Sequence, residues 1–496
     1  MKKCLALLIA LCITLSCCML PVSAASAECG CGHLPIVVVS GMGAMPFYLN
    51  EGTSEETQFT FPPAPDNVPK LVLKVFGGLF RSLFTFSLRP VVNVAVDIAL
   101  DILGIAACDA DGNSLYPVTP VTMDKAMSEY DKSTYANAGS AEFSIVNAAV
   151  EAVGADHTYF FNYDWRLDPL DNVDDLDAFI TRVLKETGHE KVRLAAISMG
   201  GVQTMAYLYK YGHDRIDTIW FLSAAWNGLL FATNAFSGDI QFNQDAFFTW
   251  LQTLEIGSAK TDAVFDKFFG FCRTAALLKP LFSLTNRLTD AVNGDVEQRV
   301  IRPTLGSTPG MWCFVRDDKF EQAKKLMLSD ASETFLKRID TYHYNVLNRR
   351  EALIADAIAD GVQVLVFSHY NNGCVPITAS AKAHGDSLIE TTCSSGGATV
   401  ADCGDTLGEG YVQKAHKEHN HLSADGVIDA STCTLPDRTW FVKNMNHVGC
   451  NNHSGYWEML RTFFSMDVQP DVFSDSRYPQ FMQTDPATQM SLEPVR

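Results

Sequence analysis

Val192-Arg193-Leu194-Ala195-Ala196-Ile197-Ser198-Met199-Gly200-Gly201 is an apolar run that stops at a serine set among small residues. Val192 to Ile197 reads as a buried strand. Val202 to Tyr211 then reads as an apolar helix. A serine between them stands on a sharp strand–turn–helix bend, the setting in which a hydroxyl is presented as a nucleophile. Small flanking residues are required because the bend brings side chains against neighbouring backbone. Ala196 stands where the first glycine of such a bend is usual, a mild departure. The helix N-terminus behind Ser198 favours negative charge developing there.

Working outward, Pro35 to Ser40 is a β-branched run closed by Gly41-Met42-Gly43. It reads as a buried parallel strand ending in a tight loop. Thr158 to Asn162, Thr218 to Ser223, Val362 to Ser368 and Thr439 to Lys443 are similar runs. Leu176 to Thr187 has helical spacing and Gly188 ends it. Strands alternating with helices predict an α/β fold, a mainly parallel sheet with both faces covered. We expect one domain over 28–496 with insertions at about 51–145, 230–355 and 371–424. Lys70 to Cys108 is strongly apolar but punctuated by Lys74, Arg81, Arg89, Asp97 and Asp101. It suits either a pair of core helices or a lid that buries its apolar face in lipid. The helix-rich stretch from Leu230 to Ala355 interrupts the sheet and is expected to cap it.

A formal net charge of −19 argues against nucleic acid, which requires clustered Lys and Arg. With 47% hydrophobic and 19% charged residues the chain reads as globular. Lys2 and Lys3 precede an apolar stretch from Leu5 to Leu20, and small residues follow at Val22-Ser23-Ala24 and Ala25-Ser26-Ala27. That order predicts a signal peptide over 1–27, cleaved near Ala24 or Ala27, and an exported protein. Of 14 cysteines, Cys4, Cys12, Cys17 and Cys18 fall in that segment. Cys374, Cys393, Cys403, Cys433 and Cys450 crowd the C-terminal third, where at least one bridge is expected in an oxidising compartment.

Asn162-Tyr163-Asp164-Trp165-Arg166 precedes the serine, and Leu222-Ser223-Ala224-Ala225-Trp226-Asn227-Gly228 follows it. Together with Gly41-Met42-Gly43 these stretches resemble the lecithin:cholesterol acyltransferase family, over roughly 35–50, 155–235 and, more loosely, 360–460. Ser40 stands where that family usually has a proline. The resemblance implies the α/β-hydrolase fold and a secreted or lumenal enzyme acting on lipid esters.

An ester-cleaving serine needs a base, and the base needs an orienting carboxylate. In this fold they follow as acid and then histidine. His447 lies just after the last predicted strand, and His453 is the weaker alternative. The resemblance places the acid in an Asp-Gly-aliphatic stretch after an insertion, which Asp425-Gly426-Val427-Ile428 fits best. Asp386-Ser387-Leu388-Ile389 has the same shape nearer the strand end and is the alternative acid. Asp405 and Asp429 are minor candidates. Asn372 stands where simpler hydrolases keep Asp but cannot supply the charge. Backbone N–H groups of Met42 and Met199 are the expected oxyanion donors. No cofactor is required. The expected partner is a lipid or small ester, with contact to a lipid surface. Water would complete hydrolysis, whereas an alcohol would make the chain an O-acyltransferase. A noncatalytic binding protein on a hydrolase fold is the third reading.

Three other groupings carry less. His416, His419 and His421 match no compact zinc spacing and read as a polar loop, so no metal is expected. Asp109-Ala110-Asp111-Gly112-Asn113 fails as a calcium loop because Pro120 stands at the twelfth position. Asp164 and Arg166 read as a structural ion pair.

Overall fold

All four side chains of Ile36–Val39 (β1) are buried, as befits a strand inside a sheet covered on both faces. β1 pairs in parallel with Thr158–Phe161 (β2) on one side and Val192–Ile197 (β3) on the other. Ile216–Leu222 (β4), Gln363–Tyr370 (β5), Thr439–Lys443 (β6) and Phe481–Thr484 (β7) extend the parallel sheet. Leu492–Pro494 (β8) closes it antiparallel, in the order β8-β7-β6-β5-β4-β3-β1-β2. The computed structural model describes residues 32–61, 77–78, 81, 85, 89–136, 141–240, 294, 296–375, 378–447, 454–484 and 491–496. The expected signal segment, Cys29, Cys31, Cys272, Cys450 and His453 lie outside them.

Alternation along β1 sends Ile36 and Val38 to one apolar core and Val37 and Val39 to the other. The covering helices are Ala141–Val153 (α1), Pro169–Thr187 (α2), Gly200–Tyr211 (α3) and Ser454–Phe464 (α4). Val173, Leu176, Ile180 and Val183 of α2 join Val202 and Met205 of α3 over one face. On the other face Phe143 of α1 stacks on Phe160 at 5.3 Å, and Phe464 of α4 meets Trp220 at 4.6 Å. Burying each such large side chain is worth about 1.5–3 kcal/mol, so the two layers fix the sheet between them.

Helix α2 starts earlier than its apolar spacing suggests. Asp168 caps it by accepting from the Leu170 N–H at 3.0 Å, and Pro169 occupies the first turn. Gly188 ends it in the left-handed conformation, as expected. Strands β7 and β8 escaped the sequence reading. They lie at the sheet margin, and β7 alternates between half-buried and buried positions rather than forming a continuous apolar run.

The stretch expected to cap the sheet is helical where it is described, at Leu230–Phe236, Phe320–Met327, Glu333–Asn345 and Arg350–Ala359. In the apolar stretch before Cys108, Arg89–Leu103 is a helix, tied by Asn93 to Arg299 at 2.8 Å. No helix among the described residues is long and apolar enough to cross a membrane. The bridge expected in the C-terminal third does not form among the described cysteines. Cys374, Cys393, Cys403 and Cys433 are all free thiols, three of them buried as small apolar groups within the packed excursion after β5.

Candidate active site

The C-terminal ends of β1, β3, β5 and β6 converge on one edge of the sheet, the place where open parallel sheets hold ligands. Strand β3 ends at Ile197 and α3 begins at Gly200, so Ser198 and Met199 make the whole reversal. Ser198 adopts φ +54°, a left-handed conformation costing a non-glycine residue about 1–3 kcal/mol. The surroundings enforce it. A Cβ on Gly200 would lie 2.2 Å from the Val39 carbonyl oxygen, and one on Gly201 would lie 2.9 Å from the Ala224 Cβ. Only glycine lets the helix start this close to β1 and to the segment after β4.

The loop after β1 is drawn over the serine. Ser40 donates its hydroxyl to Asn162 Oδ1 at 3.0 Å, and the Tyr163 hydroxyl donates to the Ser40 carbonyl at 3.0 Å. These bonds hold Gly41 so close that a Cβ there would sit 2.8 Å from the Ser198 Cβ. Met42 follows it, half-buried against the apolar cluster that contains Trp165 and Met199. Met199 is the cap residue of α3, beside the helix's orphan N–H groups. The Asp164 and Arg166 side chains form a buried two-point ion pair, Nε to Oδ1 at 2.9 Å and Nη2 to Oδ2 at 2.6 Å. Arg166 also donates to the Ile105 carbonyl at 3.0 Å, so the pair pins this loop instead of facing the serine.

His447 stands beyond the end of β6. Asn372 donates to the Met445 carbonyl at 2.8 Å, and the His447 N–H donates to the Asp386 carbonyl at 2.6 Å. These contacts aim the imidazole so that Nε2 lies 3.0 Å from Ser198 Oγ. Its Nδ1 lies 2.7 Å from Asp386 Oδ2. Asp386 is wholly buried, yet its carboxylate is fully engaged. Oδ1 accepts the N–H groups of Leu388 at 3.0 Å and Ile389 at 2.7 Å, and Oδ2 also accepts the Ser223 hydroxyl.

Burial opposes ionisation of Asp386. The His447 charge, its hydrogen bond, the nearby His369 and the Ser223 hydroxyl outweigh it, so the carboxyl is held down to about 2. Burial likewise opposes a charge on His447, but Asp386 outweighs it and raises the imidazole above its ordinary value. Glu142 of α1 adds to that rise, its carboxylate lying 3.3 Å from where a Gly41 Cβ would stand.

Asp425, the acid preferred from the sequence, does not reach His447. Its Oδ2 pairs with Lys443 Nζ at 2.8 Å and accepts the Tyr370 hydroxyl at 3.0 Å, and Ser423 takes Oδ1 at 2.6 Å. The reason lies just after β5, where Asn372–Gly373 pairs antiparallel with His384–Gly385. That short hairpin returns the chain to the strand end and delivers the next residue, Asp386, to the histidine. Asp425 comes only after a second excursion. Asp429 is tied to Ser431 and Tyr411, and Asp405 is exposed.

Ser223 and Glu142 were missed as parts of this site. Ser223, with φ +44° at the end of β4, lies in a quoted segment, and a polar residue capping a buried strand was its signal. Nothing in the pattern around Glu142 marks it.

Likeness to known proteins is limited. A family model described as alpha/beta hydrolase fold matches residues 130–280. A chain from the crystal structure of the Tle4–Tli4 complex is similar at 9% identity and a TM-score of 0.38, over 88% of this chain and 99% of that one. No curated protein matches the chain. The eight-stranded, mainly parallel sheet with helices on both faces is the α/β-hydrolase fold.

Proposed function

We propose that the chain is an exported serine hydrolase that cleaves carboxylic esters, lipids among them, through an acyl-enzyme on Ser198. The observation that carries this reading is the continuous contact from Asp386 through His447 to Ser198, at 2.7 and 3.0 Å. His447 Nε2 takes the Ser198 proton as Oγ attacks the ester carbonyl. The same proton passes to the departing alcohol as the acyl–oxygen bond breaks. Water, deprotonated by His447, then attacks the acyl-enzyme and frees the acid. An alcohol entering at that step would give acyl transfer. N–H groups of Met42 and Met199 are the proposed donors to the tetrahedral oxyanion, and losing one such donor costs about 3–4 kcal/mol.

The lipid assignment rests on the stretches resembling the lecithin:cholesterol acyltransferase family. It draws further support from the apolar surround, in which Phe61 packs on Trp165 at 4.6 Å and Met199 adjoins the serine. The charged start and apolar run of residues 1–27 support export. The test is turnover of p-nitrophenyl esters of increasing acyl length by the parent and by Ser198→Ala. Loss of turnover in the variant, with a preference for long chains in the parent, is expected. Equal rates would overturn the serine mechanism, and a preference for acetate would overturn the lipid assignment.

A further inference from the structure

His421 is fully buried in the excursion between β5 and β6, unlike its exposed neighbours His416 and His419. Its Nδ1 lies 2.9 Å from Gln480 Oε1. The orientation of that amide is fixed, because Gln480 Nε2 donates to the carbonyls of Pro436 at 2.7 Å and Thr439 at 3.0 Å. Gln480 Oε1 therefore accepts, and the His421 ring carries its hydrogen on Nδ1. In the neutral ring this leaves the Nε2 lone pair pointing the other way.

That Nε2 is buried and makes no hydrogen bond. The atom it faces, Asp437 Oδ1 at 3.2 Å, is another acceptor. His419 Nδ1 lies 3.9 Å from the same oxygen, and the three side chains offer ligand atoms all within 4.8 Å of one another. Electron pairs converging on one point repel unless a cation lies among them.

We infer that His419, His421 and Asp437 bind a divalent transition-metal ion, with zinc the best match. Two imidazoles and a carboxylate suit zinc and are poor partners for calcium or magnesium. Tetrahedral zinc with bonds of about 2.0–2.2 Å sets its ligand atoms roughly 3.4 Å apart, comparable with the 3.2 and 3.9 Å between the two imidazole nitrogens and Asp437 Oδ1. Water completes the fourth position. Gln480 is the outer partner that fixes the tautomer of a ligating histidine. Phe473 lies 4.5 Å from the His419 ring and 5.5 Å from that of His421 and screens the site. The sequence spacing concealed it because Asp437 comes from a separate loop.

Asp437 precedes β6, whereas His447 follows it, so the metal lies at the opposite end of that strand from the serine. Its role is structural. It staples the irregular stretch around Cys403–Leu422, which has little secondary structure, to the start of β6.

The test uses the full chain stripped with a chelator and titrated calorimetrically with zinc chloride, with calcium chloride as the control. One equivalent of zinc is expected to bind and raise Tm, with no calcium uptake. His419→Ala, which alters an exposed side chain, should weaken zinc at least about a hundredfold while leaving ester turnover unchanged. Gln480→Leu should weaken it about 10–100-fold. Absence of stoichiometric zinc, or undiminished affinity in His419→Ala, would overturn the site. If Asp437→Asn lowers Tm equally in stripped and zinc-treated protein, Asp437 holds the loop without a metal and the proposal fails.

Discussion

Asp386 turns one carboxylate oxygen to His447 Nδ1 at 2.7 Å and gives the other to the N–H groups of Leu388 and Ile389. The acid is thus gripped by its own loop on one side and orients the imidazole with the other. Such an arrangement fixes the tautomer and, in the proposed reaction, leaves Nε2 to receive the Ser198 proton. The geometry makes distinct demands on the two aspartates that sequence alone had to choose between.

Asp386→Asn is expected to lower kcat about 10⁴-fold, because an amide at this position favours the wrong tautomer of His447. Asp425→Asn should leave kcat nearly intact and lower stability by about 1–3 kcal/mol through loss of a charge-assisted bond to Lys443. Steady-state kinetics and urea unfolding of the two variants separate these outcomes. Full activity in Asp386→Asn would reject the assignment.

The pH dependence follows from the direction of the His447 shift. The proposed catalysis needs the neutral imidazole, and Asp386 favours the protonated one, so activity should appear only as pH rises through a value above about 6.5. In residual activity of Asp386→Asn that acid limb should move to lower pH, since burial then acts with less opposition. Asp386 itself, held down to about 2, stays ionised throughout. Its contribution to stability is present above the ordinary carboxylate value of about 3.9 and fades as pH falls towards 2. A kcat/KM profile of both proteins checks the first two statements.

Gly200→Ala should destabilise the fold by about 3 kcal/mol, because its Cβ would enter the Val39 carbonyl oxygen at 2.2 Å, an atom of rigid strand backbone. Chemical unfolding measures it, and a neutral effect would show that α3 can retreat from β1.

Arg166→Leu strands the buried Asp164 carboxylate and should cost about 3–5 kcal/mol. Ester turnover measured well below the variant's Tm should fall less than in Asp386→Asn, as the pair supports the site without facing the serine.

Much of this architecture could be read from residue pattern. β1, β3 and β5 announce themselves because parallel strands buried on both faces are dominated by apolar residues, even with Arg193 buried in β3. Ser198 is legible because a strand, a tight bend and a helix leave few residues that fit, and His447 because it follows the last apolar strand. The acid was not legible. Asp386 and Asp425 carry nearly the same local pattern, and what separates them is a hairpin with strands of two residues each, Asn372–Gly373 and His384–Gly385, too short to leave a periodic signal. Sheet-margin strands β7 and β8 escaped for the related reason that half-exposed positions need not be apolar. Asp437 could not be linked to His421 because chain spacing says nothing about loops that meet only in space.

The hairpin that delivers Asp386 separates the anchoring of the acid from that of the histidine along the chain. The carboxylate is anchored before the chain sets out on the long excursion through Cys403 and Leu422, and His447 is anchored after it returns along β6. Neither anchoring bond is made by a residue in the middle of that excursion. The exposed tip of the excursion, residues 404–410, is therefore remote in the chain from both anchors, and strain introduced there reaches the site only through the packed ends of the excursion.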